Sequence, residues 1–166
     1  FMDEAAAVLH DPSGEAPLAA LWESVAPGMN ALPPMLAEAR EAILTVNLAS
    51  EFAALSALVK RLADADLDTR DFSLVVIRRV LAALLVSWRV YRTYFNGSET
   101  AAEDTAILEE AARGARENAQ PADYPALGIL VSRLFSPAAS PEAEGLRSEG
   151  VTRFQQLTSP LAAKSL

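Results

Sequence analysis

The chain has 166 residues, no cysteine, one histidine and a formal charge of −8 at neutral pH; 51% of it is hydrophobic. That length can bury one sizeable core, so a single domain over residues 1–166 is expected. The acidic balance argues against a nucleic-acid partner and against an anionic membrane surface, since either needs a basic footprint. Neither a disulfide nor a thiolate metal site can form, and His10 alone cannot build a metal cluster. No basic region followed by an apolar run and a small-residue cleavage site opens the chain, and the expected location is cytoplasmic.

Taken in order, the elements all read as helices, and no fixed period repeats. Met2 to His10 forms a short helix that stops at the turn formers Asp11-Pro12-Ser13-Gly14. Ser13 can cap a second helix, Glu15 to Val25, with Pro17 still in its first turn. After Pro27-Gly28 and a connector from Asn30 to Pro34, Pro33 or Pro34 opens a long helix to about Ala65. Its core stripe is Leu44, Leu48, Phe52, Leu55, Val59 and Leu62, with the spacing of a helix packed antiparallel on a neighbour.

A charged turn, Asp64 to Asp71, leads to the most apolar run in the chain, Asp71 to Phe95, with Thr69 or Asp71 as its cap. Leu74, Ile77, Leu81, Leu84, Leu85 and Trp88 share one side of this run, and Val75, Val76, Ala83, Val86 and Val90 cover the other. Arg78 and Arg89 hold a narrow polar strip between them. Arginines interrupt the run too often for a bilayer span, so it is read as a central buried helix of an all-α, multi-helix bundle.

Asn96-Gly97-Ser98 closes that helix, and Ser98 or Thr100 caps the next, from about Ala101 to Asn118. Ile107, Leu108 and Ala111 are its apolar face. Pro121 starts a helix ending near Phe135, with Tyr124, Leu127, Leu130, Val131 and Leu134 inward. Ser140-Pro141-Glu142 combines an N-cap, a first-turn proline and an acidic first turn. The last helix carries Leu146, Val151, Phe154 and Leu157 and breaks at Ser159-Pro160.

The sequence has no phosphate-cradling glycine loop, no nucleophile elbow, no His-x-x-x-His and no EF-hand ladder. His10 is read as a surface or helix-end residue, because a general base needs an orienting partner. Trp22, Trp88, Tyr91 and Tyr94, at helical spacing, are read as packed rings.

Three ordered blocks nonetheless resemble one family. They are Phe1-Met2-Asp3-Glu4 with Asp11 to Leu18; Arg70-Asp71-Phe72 with Val90-Tyr91-Arg92-Thr93-Tyr94; and Arg153 to Thr158 with Pro160, Ala163 and Lys164. Together they are similar to malto-oligosyltrehalose synthase, of the α-amylase superfamily. The chain departs from that pattern in having Trp88-Arg89 where the family has Phe-Pro, Ser73 for threonine, and Ser159 and Ser165 for glycines. Losing the proline should leave the central helix straighter.

The resemblance implies the helical insertion of a (β/α)₈-barrel enzyme. Such an enzyme turns the terminal α-1,4 bond of a malto-oligosaccharide into an α-1,1 bond by double displacement, without a cofactor. The family's three carboxylates fall upstream and downstream of this stretch, so no catalytic residue is expected here. The implied partners are the malto-oligosaccharide and the remaining barrel. Arg153, Gln155, Gln156 and Lys164 resemble the stretch approaching the substrate cleft; the plainer reading is a solvated last helix. The alternative function is a stand-alone helical interaction module.

One structural pairing is also expected. Glu51 projects among Leu48, Leu55 and Leu58, and Arg92 falls in line with Leu74, Leu81, Leu85 and Trp88. A charge on a core face needs a partner, so the two are expected to be buried and joined as a clamp. Removing one partner would then cost about 3–5 kcal/mol.

Overall fold

The computed structural model describes residues 2–28, 32–95, 101–138 and 140–165, and among them there is no strand. The backbone falls into two units, residues 1–36 and 37–166.

In the first unit, α1 (Met2–Ala7) ends in a turn where the His10 ring meets the Ala6 carbonyl at 2.8 Å. Asp11 accepts from the Ser13 amide at 2.9 Å and opens a single 3₁₀ turn, Pro12–Gly14. This turn feeds α2 (Glu15–Val25). The cap of this stretch is therefore Asp11 rather than Ser13, because the Ser13 hydroxyl itself donates to Asp11 at 2.8 Å. Trp22 is 46% exposed, so the expectation of a packed ring fails there.

The chain from Leu32 to Asp64 has no straight course. Helix α3 (Leu32–Ala42) passes into a π turn, Ile43–Asn47, and then α4 (Ala49–Asp64) departs at an angle of 87°. The Leu48 amide reaches five residues back to the Ile43 carbonyl at 2.9 Å, while the Thr45 hydroxyl takes the Glu41 carbonyl at 2.7 Å. Such back-bonding and a widened turn are recognised causes of a sharp bend. The bend lets the expected stripe wrap the core: Leu44, Leu48, Phe52, Leu55, Val59 and Leu62 are all buried. The Asn30 end of the preceding connector lies outside the described residues.

Thr69 does not cap the next helix. Its hydroxyl donates to the Ala63 carbonyl at 2.8 Å, closing the end of α4, and Ser73 caps α5 (Leu74–Val86) through the Val76 amide. Ile77, Val80, Leu81, Leu84 and Leu85 are buried, whereas Leu74 and Val75 are exposed, so neighbours wrap α5 only beyond its first turn. The central helix expected over residues 71–95 thus ends at Val86, and the residues after it form an irregular strap. The Asn96-Gly97-Ser98 stop and the Ser98 or Thr100 cap lie outside the described residues.

Helix α6 (Ala102–Asn118) packs Ala111 and Ala115 inward. A 3₁₀ turn, Pro121–Asp123, precedes α7 (Tyr124–Phe135). In that turn the buried Asp123 accepts two bonds from Arg79 of α5, Nε at 2.8 Å and Nη2 at 2.7 Å. This bidentate pair depresses the Asp123 pKa and raises that of Arg79.

Helix α8 (Pro141–Lys164) begins as its sequence signals dictate, with Ser140 accepting from the Ala143 amide at 3.2 Å. Gly150 lets α8 approach α7, because a Cβ there would lie 2.9 Å from Leu134 Cδ1. The expected break at Ser159-Pro160 is absent. An internal proline costs about 3 kcal/mol, and burying one leucine returns about 1.5–3 kcal/mol. Leu157 and Leu161 are both buried, on either side of Pro160, so tertiary packing holds the helix through it.

Glu144 secures the α7–α8 loop. It accepts from the Ala138 amide at 2.9 Å and from Arg147 Nε at 2.8 Å, which lowers its pKa from 4.5 to about 2, the Arg147 bonds being the larger cause. A carboxylate depressed in this way stabilises the fold above its unfolded pKa and loses that contribution as pH falls through the folded value. Stability in acid titration should accordingly decline between about pH 4.5 and about 2, the span set by Glu144. Glu144→Gln should flatten that limb, and an unaltered limb in the variant would contradict the assignment.

Candidate functional site

The strap, residues 87–95, is, like the α4–α5 turn over 65–73, a nine-residue stretch of irregular backbone in the second unit, and its side chains alternate between core and solvent. Trp88, Thr93 and Phe95 are buried, while Tyr91 and Tyr94 are 62% and 73% exposed. The inward rings join an aromatic cluster. Trp88 meets Phe154 edge-on at 4.9 Å, Phe95 lies 4.9 Å from Phe135, and Phe135 meets Phe154 at 5.3 Å. Each such pair adds about 0.5–1.5 kcal/mol beyond simple burial.

Where the helix stops at Val86, another part of the chain takes the free carbonyls. Arg40, only 6% exposed, donates through Nη1 to the Val86 carbonyl at 3.0 Å and the Trp88 carbonyl at 2.6 Å. In a continued α-helix those two carbonyls would serve the amides of Val90 and Arg92. Arg40 Nε also donates to the Ser165 hydroxyl at 3.3 Å, at the end of α8. Its guanidinium thus stands where the negative ends of α5 and α8 come together, a setting that favours a cation. Burial lowers its pKa.

At the far end of the strap, the Gln155 side-chain oxygen accepts from the Phe95 amide at 2.8 Å and its amide nitrogen donates to the Phe95 carbonyl at 3.2 Å. Outside, the Arg92 guanidinium lies 5.7 Å from the Tyr94 ring centre, Asp104 accepts from the Tyr94 amide at 3.1 Å, and Arg89 pairs with Glu110 at 2.9 Å. Two exposed rings beside a guanidinium, on a fixed backbone, suit a ligand with both apolar faces and hydroxyls.

The residues expected from the sequence do not all gather here. Gln155 is buried and bound to backbone, which removes it from the ligand-facing set. Arg153 is exposed and donates to Glu149 at 2.9 Å, and Gln156 and Lys164 are exposed. By helical projection, at about 100° per residue, these three share the side of α8 turned away from Gln155 and from the strap.

The expected clamp is absent. Glu51 and Arg92 are both exposed and are not paired with each other. The bend at Leu48 puts Glu51 in the first turn of a new helix, where its own backbone amide and the Ser50 hydroxyl lower its pKa. Arg92 lies beyond the end of α5, so its helical projection does not apply. Among the described residues the buried charges are instead Arg40, Asp123 and Arg147. Arg40 was findable, since it precedes Leu44 and Leu48 at intervals of four on the same stripe; nothing local marks Gln155.

A groove of about 620 Å³ lies between the α4–α5 turn, the end of α7 and the start of α8. Arg133 crosses it and pairs with Asp66 and with Asp68, so its charges are matched among themselves. Among the described residues no group of three or more His, Asp or Glu is placed to hold a metal ion, and no single helix is long and apolar enough to cross a membrane. Comparison with family models, curated proteins and solved structures found no match.

Replacing Arg40 with methionine keeps much of its volume but strands the Val86 and Trp88 carbonyls. A loss of about 2–4 kcal/mol is expected from one buried and one partly buried acceptor left unmade. Urea unfolding of Arg40→Met and Arg40→Lys should show most of that loss in both, because an ammonium cannot reproduce the planar fork. A lysine variant as stable as the parent would show that charge alone suffices.

Proposed function

We propose that the chain is the helical domain of a malto-oligosyltrehalose synthase and that the strap forms part of the wall of its sugar site. The observation that supports this reading is the position of the Val90-Tyr91-Arg92-Thr93-Tyr94 block. It coincides with the strap, which is held at both ends by buried polar side chains and turns two tyrosine rings outward. The parent enzyme, a cytoplasmic isomerase of trehalose formation, moves the terminal glucosyl linkage from α-1,4 to α-1,1. In this reading its three carboxylates sit on the barrel, and this domain supplies binding and exclusion of water. Ring faces pack on the apolar faces of glucose units, and Arg92 donates to hydroxyls. No cofactor takes part.

The second reading, a helical interaction module, is favoured by α2. Its Leu18, Leu21, Trp22 and Val25 recur at helical spacing and are exposed. Within the first reading the same stripe is a surface for the barrel to cover.

The tyrosines test the choice. In the full-length protein Tyr91→Ala and Tyr94→Ala should each raise KM for maltohexaose by about ten-fold with little change in kcat, as loss of uniform binding does. Residues 1–166 alone should form no α-1,1 product from maltopentaose. Unchanged KM in both variants, or product from the fragment, would overturn the reading.

A further inference from the structure

The strap has nine residues outside any helix, and its buried peptide groups must find partners beyond the strap itself. Two buried side chains from distant parts of the chain meet the groups at its two ends, and Asp104 accepts from the Tyr94 amide at 3.1 Å on the exposed side. Arg40 takes the carbonyls of Val86 and Trp88 at its start, and Gln155 takes both the amide and the carbonyl of Phe95 at its end. The Gln155 amide group serves Phe95 as a neighbouring strand would, one donor and one acceptor on a single residue. Both side chains are buried at 6% exposure, so neither offers a surface to a ligand. Between the two anchored ends stand Tyr91, Arg92 and Tyr94, all exposed.

Resting on the sugar-wall reading, we infer that Gln155 and Arg40 are positioning residues for the malto-oligosaccharide. They act through backbone: by fixing the chain on both sides of Tyr91 and Tyr94, they set the separation and tilt of the two rings before sugar arrives. Rings on a free nine-residue loop would have to be ordered during binding, and that entropy would be subtracted from affinity. This gives Gln155 a role different from direct hydrogen bonding to sugar, and it separates Gln155 from Arg153, Gln156 and Lys164 on the opposite side of α8.

Gln155→Leu removes both bonds at nearly constant size, and Gln155→Glu keeps an acceptor for the Phe95 amide while losing the donor to its carbonyl. Hydrogen exchange of residues 89–95, read by mass spectrometry in the full-length protein, reports the tether independently of activity. The leucine variant should exchange this stretch about ten-fold faster, the glutamate variant by less, with the core helices unchanged. Both should raise KM for maltohexaose in the same order and leave kcat of the α-1,1 transfer nearly intact. Should the leucine variant fail to fold, the glutamate variant carries the same comparison. Unchanged exchange in the strap, or faster exchange with unchanged KM, overturns the positioning role. Looser variants of a full-length protein that makes no α-1,1 product overturn the sugar-wall reading and leave the tether standing.

Discussion

The buried guanidinium of Arg40 is the interaction on which the second unit depends. Its bonds to the Val86 and Trp88 carbonyls cap the end of α5, next to which Trp88 joins the aromatic cluster with Phe135 and Phe154. A cation this deeply buried is tolerated because polar oxygens face it: two carbonyls at the end of one helix and a hydroxyl at the end of another. Hydrogen bonds to a charged donor in such surroundings are worth about 1.5–3 kcal/mol each, roughly twice a neutral one. The arrangement therefore joins three segments distant in sequence, α3, α5 and α8, at a single point.

The surrounding helices are brought to that point by departures from regular geometry. The π turn at Ile43–Asn47 swings α4 through 87°, so that Leu44 and Phe52 face one core from both sides of the bend. Gly150 lets α8 approach Leu134 closely, and α8 then continues past Pro160 because Leu161 is held inside. Each departure has a local cost and is retained because the burial it permits is larger.

Charge is distributed in keeping with this core. Where a carboxylate is buried it has a bidentate arginine, as Asp123 has Arg79, and the buried Arg147 has Glu144. The remaining acidic side chains lie mostly on solvated faces, where like charges are screened and contribute little to the fold. Ion pairs between Arg133 and Asp66 or Asp68 tie the α4–α5 turn to α7 in the same exposed setting.

The residue pattern by itself determined the all-α class, the order of the helices and the apolar stripe from Leu44 to Leu62, since local periodicity and end signals carry that information. It also marked the Ser140 cap. Tertiary structure decided the rest. The run to Phe95 keeps an apolar helical periodicity, yet α5 ends at Val86, and the residue that takes the carbonyls there, Arg40, lies 46 residues from Val86 and 48 from Trp88. The Glu51–Arg92 clamp was drawn on two straight helices, and the bend at Leu48 and the end at Val86 remove both faces on which it relied. Gln155 looked like a surface polar residue until Phe95 lay against it. At the end of α5 and at Gln155 the deciding partner is remote in sequence, and a pattern read within a window of a few turns cannot contain it; the bend at Leu48 is local, made by the π turn and the Thr45 bond to Glu41.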